Sequence, residues 1–236
     1  MAKHRITDVA KSSITRAVLG ATVIATALGT GAVTANADTA TGVAAATAAK
    51  HPNTAIAAHK AGAMDERAET TVNVTADQVL TLAKAQVGIS ENAAGGGTKF
   101  QQWYADSPRA SETVARDGGN RAAYLNAAWC SMFVSWVGEH SGARPQIGWD
   151  AYTVTHAKWF AANGRWGTVA KPGSVVFFAW DGGKKLNDIQ HVGFVVKDNQ
   201  DGTISTVEGN TGNGKVEERV RPKSQVVGYG YPSYAA

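Results

Sequence analysis

The sequence predicts an α+β domain in which N-terminal helices pack on an antiparallel β-sheet. Three observations lead there. Apolar residues recur at helical spacing over residues 76 to 87 and again after Trp129-Cys130. After the turn signal Lys171-Pro172-Gly173 the texture changes to short β-branched and aromatic runs. Helices therefore come first and strands afterwards, which is the order of an α+β domain. The chain has 236 residues, 44% of them hydrophobic, with seven Trp and one Cys, and this excludes collagen-like, coiled-coil and wholly disordered chains. A single cysteine also excludes an internal disulfide framework and a cysteine-rich zinc site.

Residues 1–37 read as a secretory signal peptide. A basic start up to Arg16 runs into the apolar stretch Ala17 to Val33 and then into Ala35-Asn36-Ala37, with small residues where an export peptidase reads. Gly20, Gly29 and Gly31 weaken the competing reading as a membrane anchor, and no twin-arginine pair precedes the apolar run. Residues 38–73 are mostly Ala and Thr without a large aromatic, too little apolar surface to offset the entropy of ordering. They read as a flexible linker or pro-region, with a partly helical linker as the alternative. The globular part is expected over 74–236.

Thr75-Ala76-Asp77-Gln78 has the form of a capping box, and Val79, Leu80, Leu82, Ala83 and Val87 follow on a helical period up to Gly88. This predicts a helix over about residues 76 to 87. A Gly-rich stretch, Ala93 to Gly97, and a long polar loop reaching Asn120 are expected next, and long loops in compact domains are often functional. The second helix starts close to Trp129-Cys130, buries Met132, Phe133, Trp136 and Val137, and stops by Gly142. A short helix around Thr153 to Asn163 precedes strands at Ser174 to Trp180, His191 to Val196, Thr203 to Glu208 and Lys215 to Arg221.

The net charge of +4 comes largely from the leader, which holds Lys3, Arg5, Lys11 and Arg16 against Asp8; the remainder carries 19 basic and 18 acidic residues. No basic block interleaved with aromatics remains, so no nucleic-acid partner is expected.

An unpaired thiol in an exported chain asks for a use, and Cys130 stands at a helix start, where free amide N–H groups and the helix dipole favour a thiolate. A buried small hydrophobe is the bland alternative. A thiolate there is poised to attack a carbonyl, with backbone amides to receive the oxyanion. The base must come from six histidines. His4 lies in the leader, His51 and His59 in the tether, and His140 and His156 on helices with nothing distinctive around them, which leaves His191. In an extended strand His191, Gly193 and Val195 share one face and Val192, Phe194 and Val196 the other. If residues 197–202 form the hairpin loop and Val196 pairs with Thr203, the partner of His191 is Glu208, close enough to orient the imidazole. Asn210 follows on the same face if the strand persists. Cys130, His191 and Glu208 then supply nucleophile, base and orienter in a papain-like constellation. Asp198-Asn199-Gln200-Asp201-Gly202 resembles the start of a calcium loop, but Gly209 occupies the twelfth position and turn preference explains the segment; no metal and no cofactor are expected. Trp129, Trp149 and Trp180 are candidates to line a substrate groove, with core packing as the competing role.

Four blocks stand in order: residues 128–136 around Cys130, residues 171–178, His191-Val192-Gly193-Phe194-Val195, and Val207-Glu208-Gly209-Asn210-Thr211. They resemble the blocks of the CHAP family of cysteine, histidine-dependent amidohydrolases and peptidases, over roughly residues 76 to 232. The resemblance implies a papain-like α+β fold and cleavage of peptidoglycan, at the amide joining muramic acid to the stem peptide or within the peptides. Cys130 then resembles the nucleophile, His191 the base, and Glu208 or Asn210 the third residue. Ser174 departs from the Asp that commonly follows Pro-Gly, and no wall-binding repeat is recognisable. A secreted, wall-associated peptidoglycan hydrolase follows as the expectation, a monomer with no stable membrane span once the leader is removed. A non-catalytic wall- or peptide-binding module and a transglutaminase-type acyl transferase are the rivals.

Overall fold

The computed structural model describes residues 71–236. The expected leader and residues 38–70 of the tether lie outside the described residues. The packed part begins slightly before the expected boundary at residue 74, because Val72 is buried with the main core.

Helix α1 (Ala76–Lys84) opens on the capping box read from the sequence: the Thr75 side chain accepts from the Gln78 amide, and the Gln78 side chain accepts from the Thr75 amide. It ends sooner than expected, and Val87 is left 46% exposed rather than on the apolar stripe. The segment expected as a long polar loop folds into two helices, α2 (Lys99–Asp106) and α3 (Pro108–Asp117), followed by a 3-10 turn at Arg121–Asn126. The cause is local. Thr98 and Gln101 form a second capping box, and the Ser107 side chain caps α3 ahead of Pro108, which has no N–H to lose at the first helical position.

Helix α4 (Cys130–Ser141) runs to Gly142, as the sequence indicates. It is buried from Cys130 to Gly138, so it is the central helix of the domain and not an amphipathic surface helix. A single turn, α5 (Arg144–Ile147), and then α6 (Thr153–Ala162) complete the helical half. Among the described residues no helix is long and apolar enough to cross a membrane.

The strands are β1 (Trp166–Gly167), β2 (Val175–Phe178), β3 (His191–Asp198), β4 (Thr203–Thr211), β5 (Lys215–Pro222) and β6 (Val226–Gly230). They form one antiparallel sheet in the order β1-β6-β2-β3-β4-β5. The pairing of β6 between β1 and β2 is not legible locally, since it joins segments far apart in the chain. Met132, Phe133 and Val137 of α4 pack with Val192, Phe194 and Val207 of the sheet. The Phe133 and Phe194 rings meet edge to face at 6.4 Å. Each such fully buried side chain contributes roughly 1.5–3 kcal/mol. Across β3, Val195 joins Val176, Phe178 and Ile204 in a second apolar cluster. The period-two alternation of β3 is therefore the one the sequence shows.

The hairpin register differs from the expected one. Phe194 pairs with Val207 and Val195 with Thr206, whereas Lys197 pairs with Ser205 and Asp198 with Ile204, with an irregularity at Val196. Continuing the Phe194–Val207 register places Glu208 across from Gly193, two positions from the expected partner His191. A displacement by two keeps every side chain on its face, because the strand repeat is two. The Asp198–Gly202 segment is a turn. The Asp198 and Asp201 carboxylates accept from the Gln200 and Thr203 amides, and Lys223 pairs with Asp198.

Candidate active site

Cys130 is the first residue of α4, and the preceding Trp129 offers the helix no side-chain cap. The first-turn amides are thus left without a side-chain acceptor at the thiol. The sulfur borders a cavity of ≈ 190 Å³ whose other walls include Tyr124, Met132, Tyr152, Thr153 and Gln190; no charged residue lines it. Cys130 itself is buried.

The walls are fixed by buried polar contacts. Ser135 of α4 accepts from the Asp150 amide at 2.9 Å and donates to the Asp150 carbonyl at 3.0 Å, which ties the 150–153 segment to the thiol-bearing helix. The Asp150 carboxylate, 1% exposed, accepts from Arg109 at 2.9 Å, from Arg116 at 3.0 Å and from the Tyr152 amide at 2.9 Å. His156, which has nothing distinctive around it in the sequence, is fully buried beside the site. Its Nε2–H donates to the Ile147 carbonyl at 2.7 Å, so Nδ1 accepts from the Ser131 hydroxyl at 3.0 Å. Burial holds its pKa below the ordinary value, and it acts as a neutral latch between α6 and the start of α4.

His191, the first residue of β3, faces both Cys130 and Glu208. Its Nε2 donates to the Glu208 carboxylate at 2.9 Å, which leaves Nδ1 for the thiol. Burial works against the imidazolium, but hydrogen bonds with the Cys130 and Glu208 side chains outweigh it and push the pKa up to about 9. Glu208 has no exposed surface. Burial opposes its charge, yet hydrogen bonds from His191, Arg221 and Thr206 hold its carboxyl down at about 2. Thr206 donates to Oε1 at 2.6 Å, and Arg221 donates through Nε to Oε1 at 2.9 Å and through Nη2 to Oε2 at 2.6 Å.

The structure thus brings Cys130, His191 and Glu208 together. Asn210 stands beside them at the irregularity between Glu208 and Thr211, with φ 54° in the left-handed region, and no hydrogen bond joins it to His191. Between the two candidates for the third residue, the contact belongs to Glu208. Gly193 makes the contact possible: a Cβ there would stand 2.7 Å from Glu208 Cγ and 2.9 Å from the Val207 carbonyl oxygen. Gly209 does the same for the core, since a Cβ would meet Phe133 at 2.5 Å.

The three tryptophans separate. Trp129 has no exposed surface; it stacks on Phe100 at 5.3 Å and donates its indole N–H to Glu91 at 3.1 Å, so the expected groove role is corrected to a core role. Trp149 is 7% exposed under the Arg144 guanidinium and borders a different cavity, with Trp103 and Glu139. Trp180 is 40% exposed and its ring lies 5.2 Å from that of His191, a place from which it can meet a bound ligand. Arg221 is the residue that sequence reasoning missed. In the sequence it closes a strand and carries no signal beyond its alternation with Arg219 and Glu217.

Residues 122–210 match the family model described as the CHAP domain. Over that segment the chain is similar to a CHAP domain. The match contains Cys130, His191, Glu208 and Asn210 and is narrower than residues 76 to 232, over which the sequence resembles the family. The helices followed by an antiparallel sheet are consistent with the papain-like CHAP fold. A CHAP domain suggests a function of the peptidoglycan hydrolase or amidase type. No curated protein and no solved structure matches the chain.

Proposed function

We propose that this protein is an exported hydrolase that cleaves an amide bond of peptidoglycan through a thioester on Cys130. The observation that carries the reading is the buried chain of contacts from Cys130 to His191 to Glu208, with Cys130 also lining a cavity. The Cys130 thiolate, opposed by the His191 imidazolium, attacks the scissile carbonyl carbon, and the new oxyanion faces the uncapped first turn of α4. Collapse breaks the C–N bond, and the imidazolium gives its proton to the departing amine. Water then attacks the thioester and yields its proton to His191. The C–S bond breaks, a carboxylate leaves, and the thiolate is restored. Glu208 keeps the ring oriented and stabilises its positive charge throughout, without taking the proton.

Cys130→Ala should abolish clearing of a peptidoglycan gel while leaving the thermal unfolding profile in place, and muropeptide mass spectrometry on the unmodified enzyme should show new amine and carboxylate ends. Undiminished clearing by the variant would refute the mechanism.

A further inference from the structure

We propose that Arg221 is a positioning residue for the His191–Glu208 pair. By donating to the same carboxylate oxygen that His191 uses, it limits how strongly Glu208 draws the imidazole proton and so keeps that proton transferable. The inference rests on the reading of Cys130 and His191 as nucleophile and proton carrier.

The geometry is a competition at one atom. Glu208 Oε2 accepts from His191 Nε2 at 2.9 Å and from Arg221 Nη2 at 2.6 Å, while Oε1 is taken by Thr206 and Arg221 Nε. A carboxylate engaged by a cation is a weaker base toward its other partner. Arg221 is itself restrained. Its Nη2 also donates to Thr211 Oγ1 at 2.8 Å, and its guanidinium lies 5.0 Å over the Trp180 ring, which in turn sits 5.2 Å from His191.

The charges around the pair are few. His191 faces Cys130 from α4, Glu208 from β4, and the uncharged Phe178 and Trp180 rings. Glu208 faces His191, Thr206 and Arg221, and its neighbour across β5, Glu217, is paired with Arg219. Arg221 is therefore the cation that offsets the buried carboxylate when His191 is neutral.

Removing a positive charge stabilises the protonated form of each titrating group nearby. Arg221→Gln should raise the His191 midpoint, followed by the ring resonances in NMR, by about one unit. It should lower kcat with little change in KM, because the leaving amine then receives its proton from a weaker acid. Arg221→Lys keeps the charge and should return the midpoint toward that of the unmodified chain. A purely structural Arg221 would lower the melting temperature and leave the midpoint in place; an unmoved or lowered midpoint overturns the proposal. Should Arg221→Gln not fold, the unmodified chain gives the answer: the Arg221 Nε–H resonance must shift with the His191 midpoint, and a flat response overturns the proposal equally. These titrations need no substrate, so their failure is distinguishable from persistent clearing by Cys130→Ala.

Discussion

Gly193 decides the geometry of the His191–Glu208 pair. Glu208 lies diagonally from His191 rather than directly opposite, and its side chain crosses the space that a Cβ at position 193 would fill. Gly193→Ala should therefore cost roughly 1–3 kcal/mol in denaturant unfolding, as overpacking does. It should also lower the His191 midpoint in NMR, because a displaced carboxylate no longer supports the imidazolium; a midpoint that stays near 9 would mean that Glu208 can move aside without leaving the ring. The pair Cys130 and His191 is legible in the sequence because Cys130 is the one thiol and stands at a helix start, and five of the six histidines lie in the leader, the tether or on helices. The place of Glu208 is legible only by face. Its register depends on an irregularity at Val196 that no residue of the hairpin announces.

The helices α2 and α3 show how caps outrank composition. Residues 98–117 are polar enough to read as loop, yet Thr98 with Gln101, and Ser107 with Pro108, carry start signals of the same kind that identify α1. Their consequence reaches the cavity, since α3 supplies Arg109 and Arg116 to Asp150 and the segment after Asp150 supplies Ala151, Tyr152 and Thr153 to the wall beside Cys130. Removing one member of a buried charged cluster leaves the others uncompensated. Asp150→Ala should destabilise the fold by roughly 3 kcal/mol in urea unfolding and, on the proposed hydrolase reading, raise KM more than it lowers kcat. An unchanged unfolding curve would show that the two arginines find water in place of the carboxylate.

For the whole molecule, the titrating groups of the site set how stability follows pH. Glu208 is held down at about 2 from an ordinary 4.5, so its contribution is complete above 4.5 and is lost as pH falls toward 2. His156 is held below 6.5, so the unfolded chain takes up a proton first and stability falls as pH drops below 6.5. His191 is raised from 6.5 to about 9, so its contribution is complete below 6.5 and is lost as pH rises toward 9. The melting temperature should peak near pH 6.5 and decline on both sides, more gently in Glu208→Gln, which removes the partner of His191. A profile still rising at pH 9 in the unmodified chain would contradict the raised imidazole.

The amino-acid sequence by itself determined that helices precede strands, where the helix that carries Cys130 starts, and the alternation of β3, because caps, turns and periodicity are local properties. Tertiary structure alone decided that β6 lies between β1 and β2, that Trp129 and Trp149 are interior while Trp180 faces outward, and that Glu208 answers to Arg221 as well as to His191. Each of these depends on segments distant in the chain meeting across a packed core, where burial and pairing are settled jointly and no short stretch of residues holds the information.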